Sequence, residues 1–210
     1  STPGENTVAT DTIQNLAVNA DKIASGLSLV TVDAQNNTVV GTSAGDSFTG
    51  TDATGNTLIG KDTGTAITTG DENVAVGYKA LVSTTTASHN TAVGQYSINA
   101  NTTGHSNTAV GSAALLANTT ANYNTAVGVN ALTANTTASD NTAVGHACMD
   151  ANTTGNANSA LGQDALGLNT TGTWNTAIGR SALAANTTAS YNVGVGGSAL
   201  GLNTTGAYNT

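Results

Sequence analysis

Three histidines, one cysteine and twelve acidic residues are the side chains of this 210-residue chain that could ligate a metal, attack a carbonyl or move a proton. A metal site needs ligands that converge on one point. His89 and His105 fall at different points of the repeat described below, and His146 stands alone. Surface positions are expected for all three. Serine and aspartate are scattered through variable stretches, so no Ser-His-Asp set forms and no enzyme is expected. The glycine-rich phrases never read Gly-x-x-x-x-Gly-Lys-Ser/Thr, which excludes a phosphate loop. Asp46, Asp52, Asp62, Asp71 and Glu72 make one stretch acidic. Calcium is one reading of that stretch; a solvated acidic face is the expected one. No metal and no cofactor is expected.

What must position these residues is a repeat. Asparagine recurs every 17 residues at Asn73, Asn90, Asn107, Asn124, Asn141, Asn158, Asn175, Asn192 and Asn209. A weaker unit starts at Asn56, and a longer one of 19 residues at Asn37. The consensus is N-T-A-V-G-x-x-A-L-x-A-N-T-T-A/G-x-x. Repeats of this length mark stacked architectures. The chain therefore divides into a connector or collar at 1–36 and an array at 37–210, irregular over 37–72 and regular over 73–208.

Each column has its own chemistry. The fourth place holds Val76, Val93, Val110, Val127, Val144, Leu161, Ile178 and Val195. The ninth holds Leu81, Ile98, Leu115, Leu132, Met149, Leu166, Leu183 and Leu200. As the only large apolar columns kept throughout, both are assigned to the core. The eighth place is small and includes Cys148, which is therefore expected to be a buried, inert thiol. The fifth is always glycine: Gly77, Gly94, Gly111, Gly128, Gly145, Gly162, Gly179 and Gly196. An obligatory glycine predicts positive φ or close backbone approach. The sixth, seventh, tenth, sixteenth and seventeenth places vary and should face solvent. Among them, Tyr123, Trp174, Tyr191 and Tyr208 share the seventeenth place and suit either glycan contact or contact between chains. The seven Asn-Thr-Thr triplets fit the glycosylation acceptor pattern, but they follow from the repeat itself.

Glycine in every unit is costly in a helix. Short β-branched segments bounded by Gly and Asn indicate strands and turns. The predicted fold is all-β, a parallel β-solenoid (β-roll or β-helix) of 17-residue coils with two short strands in each. At about 4.8 Å per coil, the regular array should be a rod roughly 40 Å long. Stacked asparagines can form amide ladders, and the opening Asn and the Asn101-to-Asn203 series are the candidates. The two threonine columns can bond along the stack. One thin coil buries little, against about 1–2 kcal/mol of backbone entropy per residue. Three chains side by side would bury more, so a homotrimer is expected.

Asn-Thr-Ala-Val-Gly followed by Ala-Leu resembles the head repeat of YadA-like trimeric autotransporter adhesins. The unit at 124–138 resembles still more the shaft repeats of phage tail fibre proteins. The adhesin repeat is usually a few residues shorter, so the 17-residue period departs from it. The resemblance implies a trimeric rod on a virion or, alternatively, a cell surface. It also implies fibre or virion proteins as partners at the N-terminus, and a host receptor bound through a part outside this sequence.

Residues 1–36 lie outside the repeat. Ile13, Leu16, Ala20, Ile23 and Leu27 are spaced 3 and 4 apart, which predicts a helix over 11–25, capped by Asp11 and stopped by Gly26. An extended connector is the other reading, with Ser28–Val32 as an entering strand. Four Lys plus Arg in the whole chain exclude a nucleic-acid footprint. No apolar run reaches the length of a membrane span, so no membrane insertion is expected. The sequence stops two residues into a new repeat, so the parent polypeptide is expected to continue. Three functions fit: a viral fibre shaft holding a tip away from the particle, a bacterial trimeric adhesin binding along the rod, and an ice-binding solenoid. The last needs outward threonines flanking one residue on a flat strand.

Overall fold

A computed structural model describes residues 31–48 and 52–210. The expected helix at 11–25 lies outside the described residues. The second to fourth places of each unit form a three-residue strand, from β2 (Thr38–Val40) and β3 (Thr57–Ile59) through β6 (Thr108–Val110) to β11 (Val193–Val195). These ten strands stack parallel and in register, Ala92 on Ala109 and Val93 on Val110 for example, into one sheet running the length of the array. β1 (Thr31–Val32), the end of the expected entering strand, pairs antiparallel with β2. The coils were expected to hold two strands each; they hold one, and the rest is turns. Among the described residues there is no helix.

Strand parity decides the core, because successive side chains point to opposite faces. In Thr-Ala-Val, the alanine points one way and its two neighbours the other. Ala75, Ala92, Ala109, Ala126, Ala143 and Ala177 are fully buried. The ninth-place side chains from Leu81 to Leu183 close over them from the opposite wall, with the small eighth column between. Assignment of the fourth column to the core is thereby corrected. Val110, Leu161, Ile178 and Val195 are exposed, and Val76, Val93, Val127 and Val144 only half-buried. Size suggested the core, but pleating turns this column outward.

The fifth-place glycines have φ between 124° and 143°. A Cβ on Gly128 would lie 2.3 Å from the Gly145 carbonyl oxygen of the next coil. Both reasons for glycine hold at once. The left-handed region is also occupied at the seventh, ninth and seventeenth places, where the residues are not glycine: Asn130, Leu132 and Tyr123 have φ of 59°, 51° and 59°.

Two asparagine ladders stitch the coils. In the first, the backbone N–H of each opening Asn donates to the Oδ1 of the opening Asn one coil earlier. This runs from Asn56 on Asn37 to Asn209 on Asn192, at 2.7–3.0 Å. In the second, the Asn118 Nδ2 donates to Asn101 Oδ1 at 2.9 Å, and the series continues to Asn203 on Asn186. Both ladders donate to the same fifteenth-place carbonyl, such as that of Ala138, reached by Asn124 and Asn135. At the start, the Asp33 carboxylate takes the part of a preceding Asn. It accepts from the Asn37 N–H at 2.8 Å and Nδ2 at 3.0 Å. Thirteenth-place threonines add a hydroxyl bond per coil, Thr136 Oγ1 to the Thr153 carbonyl at 3.2 Å for instance.

Candidate functional site

The residues with reactive chemistry do not gather. His89 meets Glu72 of the preceding coil at 3.1 Å. His105 packs edge-on against Tyr123, ring centres 5.2 Å apart, and His146 is exposed. Among the described residues no three His, Cys, Asp or Glu side chains form a group that could hold a metal ion. Asp46, Asp52 and Glu72 are exposed and Asp62 is half-buried. Asp71 accepts from the Thr54 N–H and hydroxyl, so it is a turn tie between coils. Cys148 is fully buried in the eighth column, and burial pushes its thiol up to about 12. In the unfolded chain the thiol ionises earlier, so Cys148 lowers stability as pH rises from about 9 towards 12.

Tyr123, Trp174, Tyr191 and Tyr208 stand out from the seventeenth-place corner, 58%, 60%, 47% and 75% exposed. Tyr191 and Tyr208 stack flat on each other, centres 5.0 Å apart. Stacking along the axis uses ring faces that a sugar would need. The triplet asparagines Asn101 to Asn186 are buried, with their Nδ2 groups donating within the second ladder. The sixteenth column, read from sequence as free, is a third tie. Side-chain oxygens of Asn122, Ser139 and Asn156 accept from the backbone N–H one coil before. The run of small acceptors Asn, Ser, Asn, Thr, Ser at that place is the signal that could have revealed it.

What the repeat does assemble is a surface. The second and fourth places of β2–β11 all point out from one sheet, and all are Thr, Ser, Val, Ile or Leu. No charged side chain interrupts them. Ten strands about 4.8 Å apart make a strip roughly 43 Å long, with its two side-chain columns about 6.6 Å apart. One column is mostly threonine and the other Val, Ile or Leu. Among the described residues no helix is long and apolar enough to cross a membrane. No protein-family model, curated protein or solved structure matches the chain.

Proposed function

We propose that this chain is a segment of a homotrimeric fibre shaft, three copies packed through their strand faces around a common axis. The charge-free Thr/Val strip carries the proposal. It repeats at every level of the stack. A face only two columns wide can be closed by two copies face to face or by three around an axis. Resemblance to phage tail fibre and adhesin repeats favours three. A tail fibre that holds a tip away from a virion is the preferred setting. A cell-surface adhesin would use the same packing.

Light scattering on the purified chain tests this. The expected mass is three times 20.5 kDa, in an elongated particle. Val110→Lys with Val144→Lys should return a folded single chain, since both positions are outward in the isolated coil. A wild-type chain that stays single at high concentration would sink the trimer.

One observation favours a second reading. Outward Thr and Val flank one inward Ala on each strand, which meets half of the geometric requirement for an ice-binding face. A single-chain mass together with thermal hysteresis would establish that reading in place of the shaft.

A further inference from the structure

Two coils carry glycine at the tenth place, Gly167 and Gly201. Gly167 does not adopt positive φ, and an added Cβ would meet nothing closer than the Asp164 carbonyl at 3.3 Å. Earlier coils put Val82, Asn99, Leu116 and Thr133 at this place. The eleventh place, alanine or serine from Ser83 to Ala151, becomes Leu168, which is 58% exposed. A trough of about 320 Å³ lies beside it, lined by seventh-, tenth- and eleventh-place residues and by none of the strand residues. Gly167, Leu168, Ala184, Ala185 and Gly201 line it together with Asp150 and Asp164.

The two carboxylates come from successive coils and form no ion pair. The one ion pair among the described residues is His89–Glu72. Asp164 accepts only from the neutral Gln163 amide at 3.1 Å among side chains. Asp150 is held above the usual carboxylate range by burial and by Asp164, with His146 acting the other way. A cation placed there would relieve both effects.

We propose that this trough docks a segment of another protein carrying a lysine or arginine beside an apolar side chain. The cation would sit at Asp150 and Asp164, and the apolar group would lie on Ala184 against Leu168. None of the lining residues belongs to the strand strip, so the proposal does not rest on three chains assembling.

The probe is a fluorescein-labelled peptide amide, Ala-Leu-Arg-Leu-Ala, with a twin in which neutral citrulline replaces arginine. Binding is read by fluorescence polarisation at low salt. Saturable binding of the arginine peptide is expected, with the citrulline twin weaker by roughly fivefold, a size suited to a partly screened charge pair. Gly167→Val fills the trough with a side chain the tenth place already accepts at Val82, and should abolish binding while the melting curve is unchanged. Asp150→Asn with Asp164→Asn should erase the difference between the peptides. Equal affinity for the two peptides, full binding by Gly167→Val, or no saturation at millimolar peptide would each overturn the proposal.

Discussion

The entry coils, residues 37–72, and the regular coils from Asn73 onward fill one cross-section in two ways. Most regular coils place Ala at the third position, Leu at the ninth and Asn at the twelfth. The coil at Asn56 places Leu58 at the third, Gly64 at the ninth and Ile67 at the twelfth. Its leucine comes from the opposite wall, and a Cβ on Gly64 would lie 2.9 Å from both Leu58 and Ile67 methyl carbons. The first coil repeats the device with Val39, Gly45 and Phe48. The volume is conserved and its source is exchanged. The cost falls on polar bonding, because an apolar twelfth place cannot carry the second ladder. That ladder accordingly begins only at Asn101, while the first runs through both regions.

If the exchange is a unit, transplanting one part should fail badly. Leu132→Gly empties the core of a regular coil with no leucine across from it. A loss of about 3–4 kcal/mol is expected in urea unfolding, near the range for Leu→Ala cavities. Adding Ala126→Leu and Asn135→Ile to the same chain should recover part of that loss, although each alone is destabilising. Strict additivity of the three would show that the two packings are unrelated.

A smaller break targets the ladder alone. Asn135→Leu keeps the branched shape at a larger volume, leaves Asn118 Oδ1 without its donor and takes from Asn152 Nδ2 one of its two acceptors. Buried groups stranded in this way cost about 1–3 kcal/mol each, partly offset by the added apolar burial. A net loss of about 2 kcal/mol is expected, with hydrogen exchange accelerating at both neighbouring coils.

The seam between the two packings lies at Thr84. It occupies the twelfth place of the first regular coil, between Ile67 and Asn101, and its buried Oγ1 has no hydrogen-bond partner. Thr84→Asn would extend the second ladder one coil by offering Oδ1 to the Asn101 amide. The chain should gain about 1 kcal/mol, the ordinary worth of one such bond. An unchanged urea midpoint would mean that the seam is limited by packing against Ile67 rather than by the missing acceptor.

Much of this was legible as periodicity. The unit length, the coil register, both asparagine ladders and the strained glycine column follow from which residue types recur at 17-residue spacing. The orientation of the strand was just as available, since Thr-Ala-Val alternates. Ranking columns by size put Val110 and its neighbours inside, whereas their parity puts them outside and gives the interior to alanine. The left-handed residues at the seventh, ninth and seventeenth places were not legible, because Asn130, Leu132 and Tyr123 share no type that prefers that conformation. The exchange of core between walls also needed coordinates: Leu58 and Gly64 look like defects of the repeat until the facing atoms are seen.

The ninth place offers the finest test of the comparison. Entry coils carry Gly45 and Gly64 there, with φ of 63° and 54°, where glycine is unstrained. Regular coils hold a large side chain in the same conformation and accept the strain because that side chain fills the core. Ile98, with φ of 47°, is the worst placed, since a β-branched residue tolerates the left-handed region least. Ile98→Leu adopts the residue found in most of the other coils at nearly equal volume. It should raise stability by about 0.5 kcal/mol, with the relief of strain outweighing a small repacking cost. Ala126→Val, by contrast, enlarges the facing wall without its compensating glycine and should lower stability by about 1 kcal/mol. If Ile98→Leu instead proved destabilising, the backbone at that place would be fixed by more than its side chain, and the glycine of the entry coils would reflect volume alone.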